Sequence, residues 1–240
     1  LPDRRATPWQ WSRGMLWSIA FQLSTLVWAG PSLLFGPWLP FRPRYYLLTF
    51  WGRFNIFTLR WLCGIRYRVE GRENLPEGPA IILANHQSTW ETLAFQQIFP
   101  PHVYVLKREL LRLPFFGWVL RLLEPIAIDR DAIRQAARQL IEQGRTRLDK
   151  GRWVLLFPEG TRTAPGEFRR FKAGGAGLAA ATGHPVIPVA HNAGHFWPRQ
   201  ALFKRPGEII VSIGPPIAST GQSGEAINQA AEGWIRAEMA

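Results

Sequence analysis

Between Arg13 and Arg42 the chain carries no charged residue for 28 positions. A stretch that apolar has to be removed from water, either in a protein core or against lipid. As one continuous helix it would be long enough to cross a bilayer, which takes ~20 residues at ~1.5 Å each. Gly30-Pro31 and Gly36-Pro37 interrupt it, and an interior proline removes a helical hydrogen bond and crowds the preceding turn. The uninterrupted piece, residues 14–29, reaches only ~24 Å against a hydrocarbon core of ~30 Å. Arginines flank both ends, and basic flanks stay on one side of a membrane. The next apolar stretch, residues 45–65, carries Arg53 and Arg60 on one helical stripe, two turns apart. Residues 14–65 therefore read as a helical hairpin that lies in the membrane interface and dips into one leaflet. A spanning helix and a helix buried in a soluble core are the alternatives.

The charge supports this division. Lys and Arg number 29 against 17 acids, a net charge of +12, which points to an anionic partner. Residues 1–69 hold nine arginines, a single acid (Asp3) and seven of the twelve tryptophans. A basic, Trp-rich front suits lipid headgroups and the membrane interface. Its long uncharged run does not suit a nucleic-acid platform, so no nucleic-acid partner is expected. With 240 residues, the chain is expected to divide into a membrane-associated hairpin, residues 1–65, and a body, residues 66–240. One cysteine, Cys63, excludes an internal disulfide framework and points to a reducing compartment.

From residue 66 the periodicity changes. Short apolar or β-branched runs at 66–70, 80–84, 103–106, 126–129, 153–157, 186–190 and 209–213 read as strands, several continuous enough to be buried on both faces. Helical patterns lie between some of them, at 131–150 with Gly151 as a stop, and at 172–182, which is rich in Ala and Gly. Alternation of this kind predicts an α/β fold with a mostly parallel central sheet flanked by helices. In such sheets, sites form where loops leave the carboxyl ends of strands.

Two of those loops carry chemistry. The first is Asn85-His86-Gln87-Ser88-Thr89-Trp90-Glu91. A histidine between a buried strand and a helix is placed to act as a general base. On a continuous helix Glu91 would lie ~140° from His86, so the two meet only if His86 sits in the turn before the helix. The same residues also spell a capping box, in which Ser88 caps the helix and Glu91 reaches back to its amide. Ser88 as a covalent nucleophile lacks any accompanying elbow motif. The second loop is Pro158-Glu159-Gly160-Thr161-Arg162. Gly160 permits a tight turn, and Arg162 can grip a phosphate with two parallel hydrogen bonds. Arg169, Arg170 and Lys172 follow, then Gly174 and Gly175. A solvated basic loop is the alternative. His191 and His195 have a metal-like spacing but no nearby third ligand, so no metal is expected; His102, His184 and Cys63 read as structural.

The His-x4-acid turn and the Phe-Pro-Glu-Gly-Thr-Arg loop, about 70 residues apart, together resemble the glycerolipid acyltransferase family, particularly its bacterial lysophosphatidic acid acyltransferases. Leu106-Lys107-Arg108-Glu109-Leu110, Pro114-Phe115-Phe116-Gly117 and Ile128-Asp129-Arg130 resemble its second block, and Val186-Ile187-Pro188-Val189-Ala190 its fourth. The resemblance implies His86 as the base, Glu91 as its acidic partner where the family usually has Asp, and a glycerol-phosphate site at Glu159, Gly160, Thr161 and Arg162. Lys107, Arg130 and Lys172 are further phosphate candidates. It implies direct transfer from an acyl-CoA or acyl carrier protein thioester to a lysophospholipid, with no cofactor. It also implies residence at the bacterial inner membrane, with the site facing the cytoplasm. Glycerol 3-phosphate or another lysolipid as acceptor, and a non-catalytic lipid-binding role, are the competing readings.

Overall fold

A computed structural model of the chain describes residues 6–129, 133–199 and 201–240. Arg130, one of the phosphate candidates, lies outside the described residues.

The first helix, α1 (Pro8–Phe35), opens with a capping box. Thr7 Oγ1 accepts from the Gln10 amide at 3.3 Å, and Gln10 Oε1 accepts from the Thr7 amide at 3.0 Å. The break expected at Gly30-Pro31 does not occur: α1 runs through Pro31 to a short 3-10 turn at Gly36–Trp38. One proline removes one hydrogen bond, and packing along the rest of the helix outweighs that loss. The helix is therefore about 42 Å long, and by length and composition alone it could cross a membrane.

The second helix, α2 (Phe41–Cys63), turns back at Gly64, φ 70°. It runs antiparallel to α1, because Trp17 Nε1 donates to Thr58 Oγ1 (3.1 Å), Trp51 Nε1 to Ser24 Oγ (3.0 Å) and Trp28 Nε1 to the Leu47 carbonyl (3.0 Å). These bonds satisfy the indole N–H groups that packing of the two helices removes from water. The hairpin lies along the body. A Cβ at Gly14 would fall onto the Leu202 carbonyl, Trp17 packs edge-on against Trp197 at 4.9 Å, and Gly36 lies against Leu122.

The remaining chain folds as β1 (Ile65–Glu70), β2 (Ile81–Ala84), α3 (Trp90–Ile98), β3 (His102–Lys107), α4 (Phe116–Leu122), β4 (Ile126–Ile128), α5 (Ile133–Asp149), β5 (Trp153–Leu156), α6 (Gly174–Thr182), β6 (Val186–His191), β7 (Gly207–Ile213) and α7 (Gly224–Glu238). All seven expected strands form, and they make one sheet in the order β1-β7-β6-β2-β5-β3-β4. Every pairing is parallel except β6 with β7. The fold is thus an α/β sheet covered by helices on both faces. Alternate strand residues feed two layers. Ile82, Ala84, Leu155 and Val189 pack with α3 and with Trp17, Ile56 and Leu59 of the hairpin. Ile81, Leu83, Val154 and Leu156 pack with α5, α6 and α7. The small residues of α6 serve this second layer: Gly175 sits against Leu83 and Leu156. The hairpin and the body therefore share one core.

A candidate active site at the carboxyl edge of the sheet

β2 lies at the middle of the sheet between β5 and β6, so the loops leaving those three parallel strands emerge side by side. His86 follows β2, in the turn four residues before α3 begins at Trp90. This is the placement in which it can reach Glu91, and its Nδ1 lies 2.8 Å from Glu91 Oε1. The same oxygen accepts the amides of Gln87 (3.0 Å) and Ser88 (2.8 Å). The contacts to His86 and to the Ser88 amide fall on a single carboxylate oxygen of Glu91. It makes the reach-back half of a capping box, while Ser88 Oγ accepts from Trp90 rather than from Glu91. Helix α3 consequently starts one residue later than a full box would set it.

Glu91 is fully buried. Burial alone would raise its pKa, but the nearby His191 and His86 rings and the Ser88 amide hold it below the usual carboxylate value. An ionised carboxylate only accepts, so His86 Nδ1 donates to it, which in the neutral ring leaves Nε2 as the acceptor. The His86 ring stacks on Phe157, with centroids 4.1 Å apart and planes 13° from parallel. Its side chain is 16% exposed.

The loop after β5 is bonded directly to this histidine. The Thr163 amide donates to the His86 carbonyl at 2.8 Å, and Thr163 Oγ1 donates to Glu159 Oε2 at 2.8 Å. Gly160 closes the turn with its amide on the Phe157 carbonyl at 3.0 Å and a φ of 74°, which L side chains rarely adopt. Glu159 is buried, and burial pushes its carboxyl up to about 7, against the pull of the Thr163 hydroxyl and the His86 backbone. Arg162 is half-buried. Burial lowers its pKa and the charge of Glu91 works the other way, so its guanidinium lies within the field of the His86–Glu91 pair. No hydrogen-bond acceptor engages that guanidinium among the described residues. Lys172 is exposed, its amide bonds the Pro158 carbonyl at 2.9 Å, and its side chain lies across Gly160. Thr161 is half-buried in the same loop, and Lys107 is exposed at the end of β3, beside β5.

The structure therefore brings together His86, Glu91, Glu159, Gly160, Thr161, Arg162 and Lys172, with Lys107 at the adjoining strand end. It also reveals a brace that sequence spacing did not disclose. Asn85 and His191 exchange backbone and amide hydrogen bonds at 2.9 Å. His191 Nε2 donates to the Asn85 carbonyl at 2.9 Å, and the Gly194 amide donates to Gln87 Oε1 at 3.1 Å. The end of β6 thus pins the residues on either side of His86. His191 does not join His195 in a ligand pair; its ring is fully committed to this brace. The signal that identifies it is spatial, since only the sheet order puts β6 next to β2.

Comparison with known proteins agrees with the geometry. A family model described as "Acyltransferase" matches residues 66–192. A 1-acyl-sn-glycerol-3-phosphate acyltransferase of Pseudomonas aeruginosa is 49% identical over 232 residues, covering 95% of this chain and 90% of the relative. The enzyme of that name from Saccharomyces cerevisiae is 34% identical over 181 residues, covering 73% of this chain and 59% of its own. The crystal structure of the 1-acyl-sn-glycerophosphate (LPA) acyltransferase, PlsC, from Thermotoga maritima superposes with a TM-score of 0.78 at 26% identity, covering 96% of each chain. The chain belongs to the acyltransferase family that includes these 1-acyl-sn-glycerol-3-phosphate acyltransferases.

Proposed function

We propose that the protein transfers an acyl chain from an acyl thioester to the free hydroxyl of 1-acyl-sn-glycerol 3-phosphate, giving phosphatidic acid. The observation that carries this reading is the tie between the two loops. The Thr163–His86 hydrogen bond sets a general-base pair one residue away from a cation suited to phosphate. His86 Nε2 takes the proton of the acceptor hydroxyl, and the oxygen attacks the thioester carbonyl. The C–S bond then breaks, and the thiolate leaves with the proton that His86 returns. Glu91 stabilises the imidazolium formed in between. A thioester supplies its own good leaving group, so the step calls for neither an enzyme-bound acyl intermediate nor a cofactor. Arg162, with Lys172 and Lys107, holds the phosphate so that the hydroxyl stays near the carbonyl. Such positioning is worth several kcal/mol, on the order of 7–11 for an ideally oriented pair.

The acceptor and product are lipids, and the hairpin suits a site that works at a membrane. Its outward face exposes Leu23, Val27, Phe50, Phe54, Phe57 and Trp61, with Arg53 and Arg60 among them. The opposite face is packed along the body over most of its length. A hairpin held that way lies in the plane of the interface and does not project through it. The same proposal puts the protein at a bacterial inner membrane with the site on the cytoplasmic side, in keeping with its bacterial relative. The test supplies vesicles containing lysophosphatidic acid with acyl-CoA or acyl carrier protein thioester, and follows thiol release and lipid product by mass spectrometry. Equal amounts of thiol and phosphatidic acid are expected. Thiol release with free fatty acid and no phosphatidic acid would contradict the reading.

A further inference from the structure

A second apolar and basic surface lies outside the hairpin. Between β3 and α4 the chain passes through a 3-10 helix, Arg108–Arg112, and exposes Leu110, Leu113, Phe115, Phe116 and Trp118 within nine residues. Exposed apolar side chains this dense mark an interaction surface and not ordinary solvated surface. Phe115 has φ 59°, a strained conformation that L side chains rarely adopt. No burial within the chain offsets this, since Phe115 is 46% exposed, with its ring 5.3 Å from that of Trp118. Lys107, Arg108, Arg112 and Arg121 border the ridge, against one acid, Glu109, and all five are exposed.

The position of the ridge identifies its occupant. Helix α4 packs against α1, and its Leu122 lies against Gly36. Beside Gly36 the hairpin exposes Leu34, Phe35 and Trp38, the last at 85%. The ridge is therefore continuous with the outward face of the hairpin and repeats its composition of aromatic and aliphatic side chains bordered by cations. We propose that residues 107–121 are a second membrane-inserting element whose partner is an anionic lipid bilayer. Leu113, Phe116 and Trp118 enter the acyl boundary, while Arg108, Arg112 and Arg121 meet headgroup phosphates. This deepens the membrane reading of the hairpin and rests on it. β3 is bonded in parallel to β5 in the sheet, so the ridge and the Arg162 loop follow neighbouring strands at the same end of the sheet.

The test uses the full chain and vesicles of phosphatidylcholine with or without phosphatidylglycerol. Leu113→Ser/Phe116→Ser should weaken vesicle partitioning tenfold or more, because the apolar surface that Leu113 and Phe116 expose would no longer leave water on binding. Its melting temperature and its turnover of a short-chain, water-soluble lysophosphatidate should match wild type. Arg112→Gln should weaken binding to the anionic vesicles only. Unchanged partitioning of both variants, or a loss of partitioning matched by an equal loss on the soluble acceptor, would overturn the proposal. Leu23→Ser/Val27→Ser on the hairpin separates the two readings. If it binds as wild type does, the hairpin reading fails. If it loses binding while the ridge variants keep theirs, only the ridge proposal fails.

Discussion

One oxygen of Glu91 lies 2.8 Å from Nδ1 of His86 and at the same time accepts the amides of Gln87 and Ser88. The start of α3 and the orientation of the imidazole are therefore one piece of structure. Glu91→Gln separates the two roles. The glutamine oxygen can accept the same three donors, so the helix start survives. The charge that stabilises the imidazolium is lost, and turnover is expected to fall by about 10² or more. Glu91 Oε2 is buried without a partner, so the amide nitrogen that replaces it is left unsatisfied and stability should drop by about 1–3 kcal/mol. Chemical denaturation beside steady-state turnover reads both; wild-type turnover in this variant would remove Glu91 from the chemistry.

The brace at the end of β6 gives a second expectation. His191→Phe keeps a ring in the site but leaves the Asn85 carbonyl without the donor it has at 2.9 Å. Stability should fall by about 1–3 kcal/mol. The turnover number should fall more than the Michaelis constant for the acceptor rises, because the His191 ring holds the residue beside His86 and makes no hydrogen bond to the Arg162 loop. A rise in the Michaelis constant at constant turnover number would show that the brace serves binding and not the base.

Glu159 should leave a signature in stability. Its folded carboxyl is raised from 4.5 to about 7 by burial, so between those values the folded chain binds more protons than the unfolded one. Stability contributed by this group is lost as the pH rises from about 4.5 to about 7, and the loss then levels off. Glu159→Gln keeps an acceptor for Thr163 but cannot ionise. Its stability relative to wild type should grow across that window, by on the order of 3 kcal/mol, and stay constant above it. Denaturant unfolding of both proteins from pH 4.5 to 8 checks this, and a flat difference would show that Glu159 titrates alike in the folded and unfolded chain.

The sheet was largely legible because its strands are buried on both faces and so appear as continuous apolar runs, such as Ile81–Ala84 and Trp153–Leu156. The rule that failed was local. Proline was expected to end a helix at Gly30-Pro31, but the contacts of α1 with α2 and the body carry the helix through. Helix α7 is masked in the sequence by the Gly/Ser-rich loop that precedes it, although Ser223 caps it and Ile227, Ala231 and Ile235 repeat every four residues on its buried face. At the site, spacing could state the condition for His86 to meet Glu91 but not that the condition holds. Lys204 shows a different limit. It looks like a surface lysine in sequence, yet it is buried over the rings of Trp17 and Trp197, at 5.3 and 4.6 Å, where the hairpin meets the body. Such placements depend on which distant segments meet, and composition does not carry that information.

The central claim is that one loop removes the proton while its bonded neighbour holds the phosphate. Kinetics of His86→Ala and Arg162→Ala on two acceptors, lysophosphatidic acid and a monoacylglycerol that lacks the phosphate, test it most directly. His86→Ala should lose nearly all turnover on either acceptor while still binding lysophosphatidic acid. Arg162→Ala should raise the Michaelis constant for lysophosphatidic acid by about tenfold or more, yet match wild type on the phosphate-free lipid. Substantial turnover by His86→Ala, or an Arg162→Ala defect of equal size on both acceptors, would contradict the account.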